Sequence, residues 1–178
     1  MRYEVEYGRR KRLYIQIKPD GTVLVKAPLG LNREEVDRIL AEKRDWIEAH
    51  LPKNPVVLPK LTMEEIHALA DRALKDIPNR VRKFAPLVGV SYGRITIRNQ
   101  RSRWGSCSGK GNLNFNCLLM LCPEDVRDYV VVHELCHRKE MNHSAAFWAE
   151  VERVLPDYRA ANQWLKEHGS ALIERMEA

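Results

Sequence analysis

The sequence predicts an α+β protein in two parts: a β-hairpin-plus-helix lobe over residues 1–58 and a larger domain of helices and strands over residues 59–178. Three observations carry this reading. Two short runs near the N-terminus alternate apolar and polar residues around an Asp-Gly pair, the pattern of two half-buried strands and a tight turn. Several longer stretches repeat apolar residues three and four apart, which is helical spacing. Between the two parts, residues 52–60 contain Pro52, Pro55 and Pro59, a linker composition.

The first strand is Leu13-Tyr14-Ile15-Gln16-Ile17 and the second Val23-Leu24-Val25-Lys26-Ala27, with Asp20-Gly21 turning the chain between them. Pro28 and Gly30 end the second strand. Asn32 is a helix N-cap residue, and the helix it opens is expected to reach about His50 with Val36, Ile39, Leu40, Trp46 and Ile47 on one stripe. Thr62 followed by Glu65 forms a capping box for the next helix. That helix is expected to run to about Ala85, with a break or kink at Pro78. Ser91–Asn99 and Leu113–Asn116 read as strands, the second after a Gly-rich turn. Pro123 then opens a helix with acids in its first turn and Val126, Tyr129, Val130, Val132 and Leu135 along it.

Composition narrows the function classes. The chain is 44% hydrophobic and 30% charged, as in ordinary globular proteins. No apolar run approaches the roughly 20 residues that cross a bilayer, so no membrane partner is expected. Met1-Arg2-Tyr3-Glu4 lacks the apolar stretch of a secretion signal, which points to the cytoplasm. Cys107, Cys117, Cys122 and Cys136 form no Cys-x-x-Cys pair and read as free thiols, with a zinc site from Cys107, Cys117 and Cys122 left open. The net charge of +6 is uneven: residues 1–111 hold 23 Lys/Arg against 13 Asp/Glu (+10), and residues 112–178 hold 7 against 11 (−4). A basic first part of this kind can attract nucleic acid.

The chemistry lies in His133-Glu134-Leu135-Cys136-His137. Histidines four apart on a helix project from one face and can share one Zn²⁺ at about 2.0–2.1 Å. Glu134, one position on, can reach a metal-activated water without ligating the metal, which suits a general base. A third ligand requires the helix to stop. On an unbroken helix His143 lies six residues beyond His137, about 120° off the ligand face. Asn142 tolerates the left-handed conformation that ends helices, and Ser144 can cap a new helix carrying Phe147, Trp148, Val151 and Leu155. The break would return His143 to the metal; Glu150 and Glu152 are the alternative third ligands.

The stretch Ser102-Arg103-Trp104-Gly105-Ser106-Cys107-Ser108, then Leu113–Asn116, Asp128–His137 and Asn142-His143-Ser144 with Phe147-Trp148, resembles the YgjP-like metallopeptidase family, related to SprT-like and WLM zincins. The hairpin and the Trp46-Ile47 helix resemble its front lobe. The resemblance implies a zincin-like core, His133, His137 and His143 as metal ligands, and Glu134 as catalytic acid/base. Metzincins share the histidine spacing, but Glu140 stands where they have glycine.

The expectation is therefore a zinc-dependent hydrolase, a metallopeptidase acting on peptide or protein substrates through Glu-assisted attack of a zinc-activated water. Tyr158, His168 and Arg103 are candidates for stabilising the oxyanion, Trp104 is expected in the core and Gly105 at a tight backbone position. The strand Leu113–Asn116 is expected at the sheet edge, where an extended peptide could align. The alternative is a nucleic-acid-associated binding module, or a DNA-linked protease, using the basic surface.

Overall fold

Val23, Leu24 and Val25 are all buried, so both faces of one short strand are covered; this strand centres the first of two compact units, Met1–Leu58 and Pro59–Ala178. The computed structural model describes residues 3–53, 55 and 57–176. Met1, Arg2 and residues 54 and 56 of the proline-rich stretch thus lie outside the described residues.

In the first unit, β1 (Tyr3–Gly8), β2 (Tyr14–Ile17) and β3 (Val23–Pro28) form a sheet in the order β1-β3-β2. β2 and β3 are the expected hairpin, with Ile17 opposite Val23. Gly21 holds a φ of 82° in the turn, and the Asp20 carboxylate accepts from the Thr22 amide at 2.8 Å. The third strand goes beyond the sequence reading: β1 runs parallel to β3, with Tyr3 opposite Val23. Its period-two alternation, Tyr3-Glu4-Val5-Glu6-Tyr7, was there to be read.

The helix expected from Asn32 to His50 is two helices, α1 (Arg33–Glu42) and α2 (Arg44–His50), parted at Lys43. Asn32 and Glu35 form a reciprocal capping box. Val36, Leu40 and Ile47 enter the core, but Trp46 is 46% exposed and stacks on His50 instead. Helical geometry explains the correction: Trp46 and Ile47 are successive residues of α2, about 100° apart, so with Ile47 facing the core Trp46 turns away from it.

In the second unit, α3 (Met63–Val88) opens on the Thr62/Glu65 capping box and closes on Gly89 at φ 79°. It passes through Pro78 without the expected break. The carbonyl that Pro78 leaves unbonded belongs to Leu74, which is on the solvent side. Meanwhile Ile66, Leu69, Ala73, Ile77, Val81, Phe84 and Val88 keep a continuous buried stripe, and that packing holds the helix across the lost bond.

A second sheet contains β4 (Ile95–Arg98), β5 (Gly105–Cys107) and β6 (Leu113–Asn116), ordered β4-β6-β5. β6 is therefore the central strand, parallel to β4 and antiparallel to β5, not the expected edge. Its Leu113 and Phe115 share one face and are fully buried, while its backbone is paired on both sides. A 3₁₀ turn at Cys117–Leu121 leads to α4 (Glu124–Cys136), α5 (Ala145–Val154) and α6 (Tyr158–Glu174). The N-terminal end of this unit is fastened to its last helix: the Leu61 amide donates to the Arg175 carbonyl, and Arg175 Nε donates to the Pro59 carbonyl at 2.9 Å.

Between α3 and α4 sits an ionic cluster. Arg80 donates to Asp76 at 2.7 Å and also bonds Asp128, while Arg127 reaches Asp76 at 3.3 Å. Burial raises the Asp76 carboxyl pKa, but Arg80 and Arg127 outweigh it and hold the carboxyl below its ordinary value.

Candidate metal centre

α4 is apolar almost all round: Val126, Tyr129, Val130, Val131, Val132, Leu135 and Cys136 are buried, as befits a helix in the core of its unit. The polar exceptions toward its C-terminal end are His133 and Glu134. A carboxyl only 5% exposed carries a large desolvation cost that packing alone does not justify.

The structure brings the three predicted histidines together. One ring nitrogen from each of His133, His137 and His143 lies within 4.8 Å of the others, with His133 Nε2 and His143 Nε2 3.0 Å apart. Bonds of about 2.0–2.1 Å to one tetrahedral ion place its ligand atoms about 3.3 Å apart, so the His133–His143 pair is close to a shared-ion spacing. Among the described residues this is the one group of three such donors. Cys117 and Cys122 are instead buried as free thiols.

The route by which His143 arrives differs from the expectation. α4 ends at Cys136, and the chain winds on through short bonds from Arg138 to Leu135 and from Lys139 to Cys136. Asn142 does not adopt the left-handed conformation, since no non-glycine residue has positive φ among those described. Its side-chain oxygen accepts from the Ser144 amide at 3.2 Å, an Asx turn that reverses the chain at no cost in φ. Ser144 then caps α5 by accepting from the Phe147 amide. Glu150 pairs with Lys139 and Arg153, and Glu152 with Arg159, so neither carboxylate joins the cluster.

The rings are held in two ways. His137 Nδ1 lies 2.9 Å from the Glu140 carbonyl, which assigns the proton to Nδ1 and leaves the Nε2 lone pair free for a metal. His133 Nδ1 is buried without a hydrogen-bond partner, so packing orients it. Phe147, Tyr129 and Trp148 meet its ring edge-on at centroid distances of 4.8, 5.8 and 5.9 Å. Phe147 also stacks on His137 at 4.6 Å, and Trp148 stacks on His143 at 5.9 Å. The helical stripe Phe147-Trp148 thus packs against imidazoles, a role its periodicity did not reveal.

Burial, then the two neighbouring imidazoles, push the His133 pKa down to about 3. His137 is lowered too, by burial first, against the Glu140 carbonyl bond. Neutral imidazoles with free lone pairs are the donor set that Zn²⁺ takes, so these residues fit the ion that the sequence implied. Glu134 is pushed up to about 8 by burial, with the Arg103 charge acting the other way. A bound dication would add to Arg103's effect.

Glu134 points at β5. A Cβ built on Gly105 would lie 2.7 Å from Glu134 Oε1 and 2.8 Å from its Cγ, so any side chain there displaces the Glu134 carboxyl. Trp104 is half-buried at the margin of the core, against which it packs, and its indole lies against Gly169 of α6. Asn116, fully buried, fixes this loop: its amide donates to the Gln100 carbonyl at 2.7 Å and to the Arg103 carbonyl at 3.1 Å. Its oxygen accepts from the Leu118 amide at 3.0 Å. A cleft of about 360 Å³ opens beside His133 and Glu134, walled by Trp104, Tyr129 and Val130 and closed on the far side by α6. Of the oxyanion candidates, His168 stacks on Trp164 and lies 3.0 Å from that residue's carbonyl, and Tyr158 is sandwiched by Trp148 and Tyr129. Arg103 is the one whose charge reaches Glu134.

Comparison with known proteins identifies the family. The sequence matches the YgjP-like metallopeptidase domain over residues 11–60 and 57–168. Among solved structures it is similar to the metallopeptidase zymogen abylysin of Pyrococcus abyssi, with 22% identity, 51% of this chain and 93% of that one covered, and a TM-score of 0.46. It is also similar to the zymogen jannalysin of Methanocaldococcus jannaschii, with 23% identity, 51% and 92% covered, and a TM-score of 0.44. A search of curated proteins finds no match. The matched residues span both units, and the chain belongs to the YgjP-like metallopeptidase family.

Proposed function

We propose that this protein is a zinc-dependent peptidase in which His133, His137 and His143 hold the ion and Glu134 is the general acid/base. The observation that carries the reading is the convergence of three imidazole nitrogens within 4.8 Å beside a buried carboxyl. Three protein ligands leave a coordination position open, the arrangement of catalytic rather than structural zinc sites. Zinc in that place supplies Lewis-acid activation of water and of a scissile carbonyl.

The chain's own residues do the rest. The Glu134 carboxylate takes a proton from the attacking water and returns it to the leaving nitrogen. Phe147, Trp148 and Tyr129 hold the imidazole rings in place and keep water from the buried side of the cluster. β5 is the strand nearest Glu134, and on its other side it faces no strand among the described residues. An extended peptide can pair with its backbone there, laying a scissile bond beside Glu134.

The test is a digest of an unbiased peptide pool by the zinc-loaded protein and by Glu134→Gln, with elemental analysis of both. The expected result is about one zinc per chain in each, and hydrolysis lower in the variant by at least about 100-fold. A fully active Glu134→Gln would overturn the assigned role, and a wild type that digests nothing would overturn the peptidase reading.

A further inference from the structure

α6 turns a distinct face to the cleft beside Glu134. Asn162, Leu165, Lys166 and Gly169 are spaced by three, four and seven residues, which puts them on one side of the helix. Gly169 seats the Trp104 indole, with a Cβ there falling 3.1 Å from Nε1. The other three line the cleft itself.

Two of those three are polar and unmatched. Asn162 is half-buried and Lys166 exposed, and neither side chain makes a hydrogen bond or ion pair among the described residues. Their neighbours on the same helix are paired: Gln163 donates to Glu167 at 2.7 Å, and Arg159 bonds Glu152 at 2.5 Å. An amide partly withdrawn from water, with an unpaired ammonium one turn on, gives the α6 wall of the cleft a cationic, donor-rich character.

Resting on the peptidase reading above, we infer that this cleft is the subsite for the substrate residue next to the scissile bond, and that it selects a carboxylate on an apolar stem. Trp104 and Leu165 lie along the stem, and the Asn162 amide and Lys166 ammonium receive the carboxylate. A basic substrate residue is disfavoured, because its charge would meet Lys166. Two sources carry this chemistry, a glutamate side chain and the C-terminal carboxylate of a short peptide.

The test uses the full zinc-loaded chain and hexapeptide pools that place Glu, Gln or Lys at each position, each made with blocked ends and with a free C-terminal carboxylate. Cleavage is read as kcat/KM, and binding without turnover is read by fluorescence anisotropy on Glu134→Gln. The expected preference for the carboxylate over its neutral isostere is about five- to tenfold in both readouts. It falls close to one in Lys166→Met and reverses toward lysine peptides in Lys166→Glu. A preference tied to one glutamate position in blocked peptides identifies the side chain as the source, and one that needs the free end identifies the terminus. Cleavage with no carboxylate preference, or a preference that survives Lys166→Glu, overturns the subsite and leaves the peptidase reading standing. Carboxylate-selective binding with no turnover of any pool overturns the peptidase reading and leaves the subsite standing. Absence of both overturns both.

Discussion

Gly105 and Glu134 are fitted to each other: the space a side chain would take at 105 is already filled by the Glu134 carboxyl, 2.7 Å from the position of a Cβ. A strand glycine ordinarily weakens a sheet, so its presence in β5 is explained by the helix it faces. Gly105→Ala should displace Glu134 while leaving the three histidines in place. The expected outcome is a loss of about 10- to 100-fold in kcat with zinc content unchanged. Parallel kinetics and elemental analysis check this; zinc loss equal to the activity loss would refute it.

His143 is the exposed member of the histidine cluster, delivered by a turn rather than by α4. Outer hydrogen-bond partners of metal ligands are worth about 10- to 100-fold in metal affinity, so His143→Ala should weaken zinc by more than about 100-fold. A competition titration against a chelator measures it. Affinity equal to wild type would remove His143 from the ligand set.

Asn116 satisfies two carbonyls and one amide from a fully buried position. Asn116→Ala leaves all three without that partner, and the expected cost is about 2–3 kcal/mol. Asn116→Asp should be worse, because carboxylate oxygens would face the Gln100 and Arg103 carbonyls that now accept from the amide. Chemical denaturation of the two variants gives the ranking, and an Asp variant as stable as wild type would show that the loop is held by other contacts.

Arg80, paired with Asp76 one turn back on α3, joins that helix to α4 through Asp128, all three partly buried. Such a pair lies between exposed and buried salt bridges, so Arg80→Ala is expected to cost about 2 kcal/mol near neutral pH. The pH dependence follows from Asp76, whose folded pKa is held below the ordinary 3.8. Its contribution is complete above that value and fades as pH falls through the lower folded pKa. The stability gap between wild type and Arg80→Ala should therefore narrow below about pH 4, as followed by melts at pH 7 and pH 3. A gap that widens on acidification would contradict the assignment.

Much of the architecture was legible because local rules act over a few residues. The Asp20-Gly21 turn, the capping boxes at Asn32 and Thr62, and the Ser144 cap each depend on hydrogen bonds spanning two or three positions. At Pro78 and Asn142 wider packing and side-chain bonding override such rules. Pro78 costs a helix one bond, but a stripe of buried side chains outweighs it; Asn142 can turn left-handed, yet its side chain offered a cheaper turn. α6 lies beyond the last capping signal, although Tyr158, Ala161, Leu165 and Leu172 carry helical spacing.

By itself, then, the sequence determined the α+β class, the family resemblance and the set of imidazoles on neighbouring turns, because helical periodicity and motif spacing are properties of the chain. Only the tertiary structure decided that β6 is central and β5 faces Glu134, that Gly105 must be small, and that α6 walls the cleft. Those facts depend on strand order and on packing between residues dozens of positions apart, where close-packed interiors leave a single arrangement and no local pattern records which one.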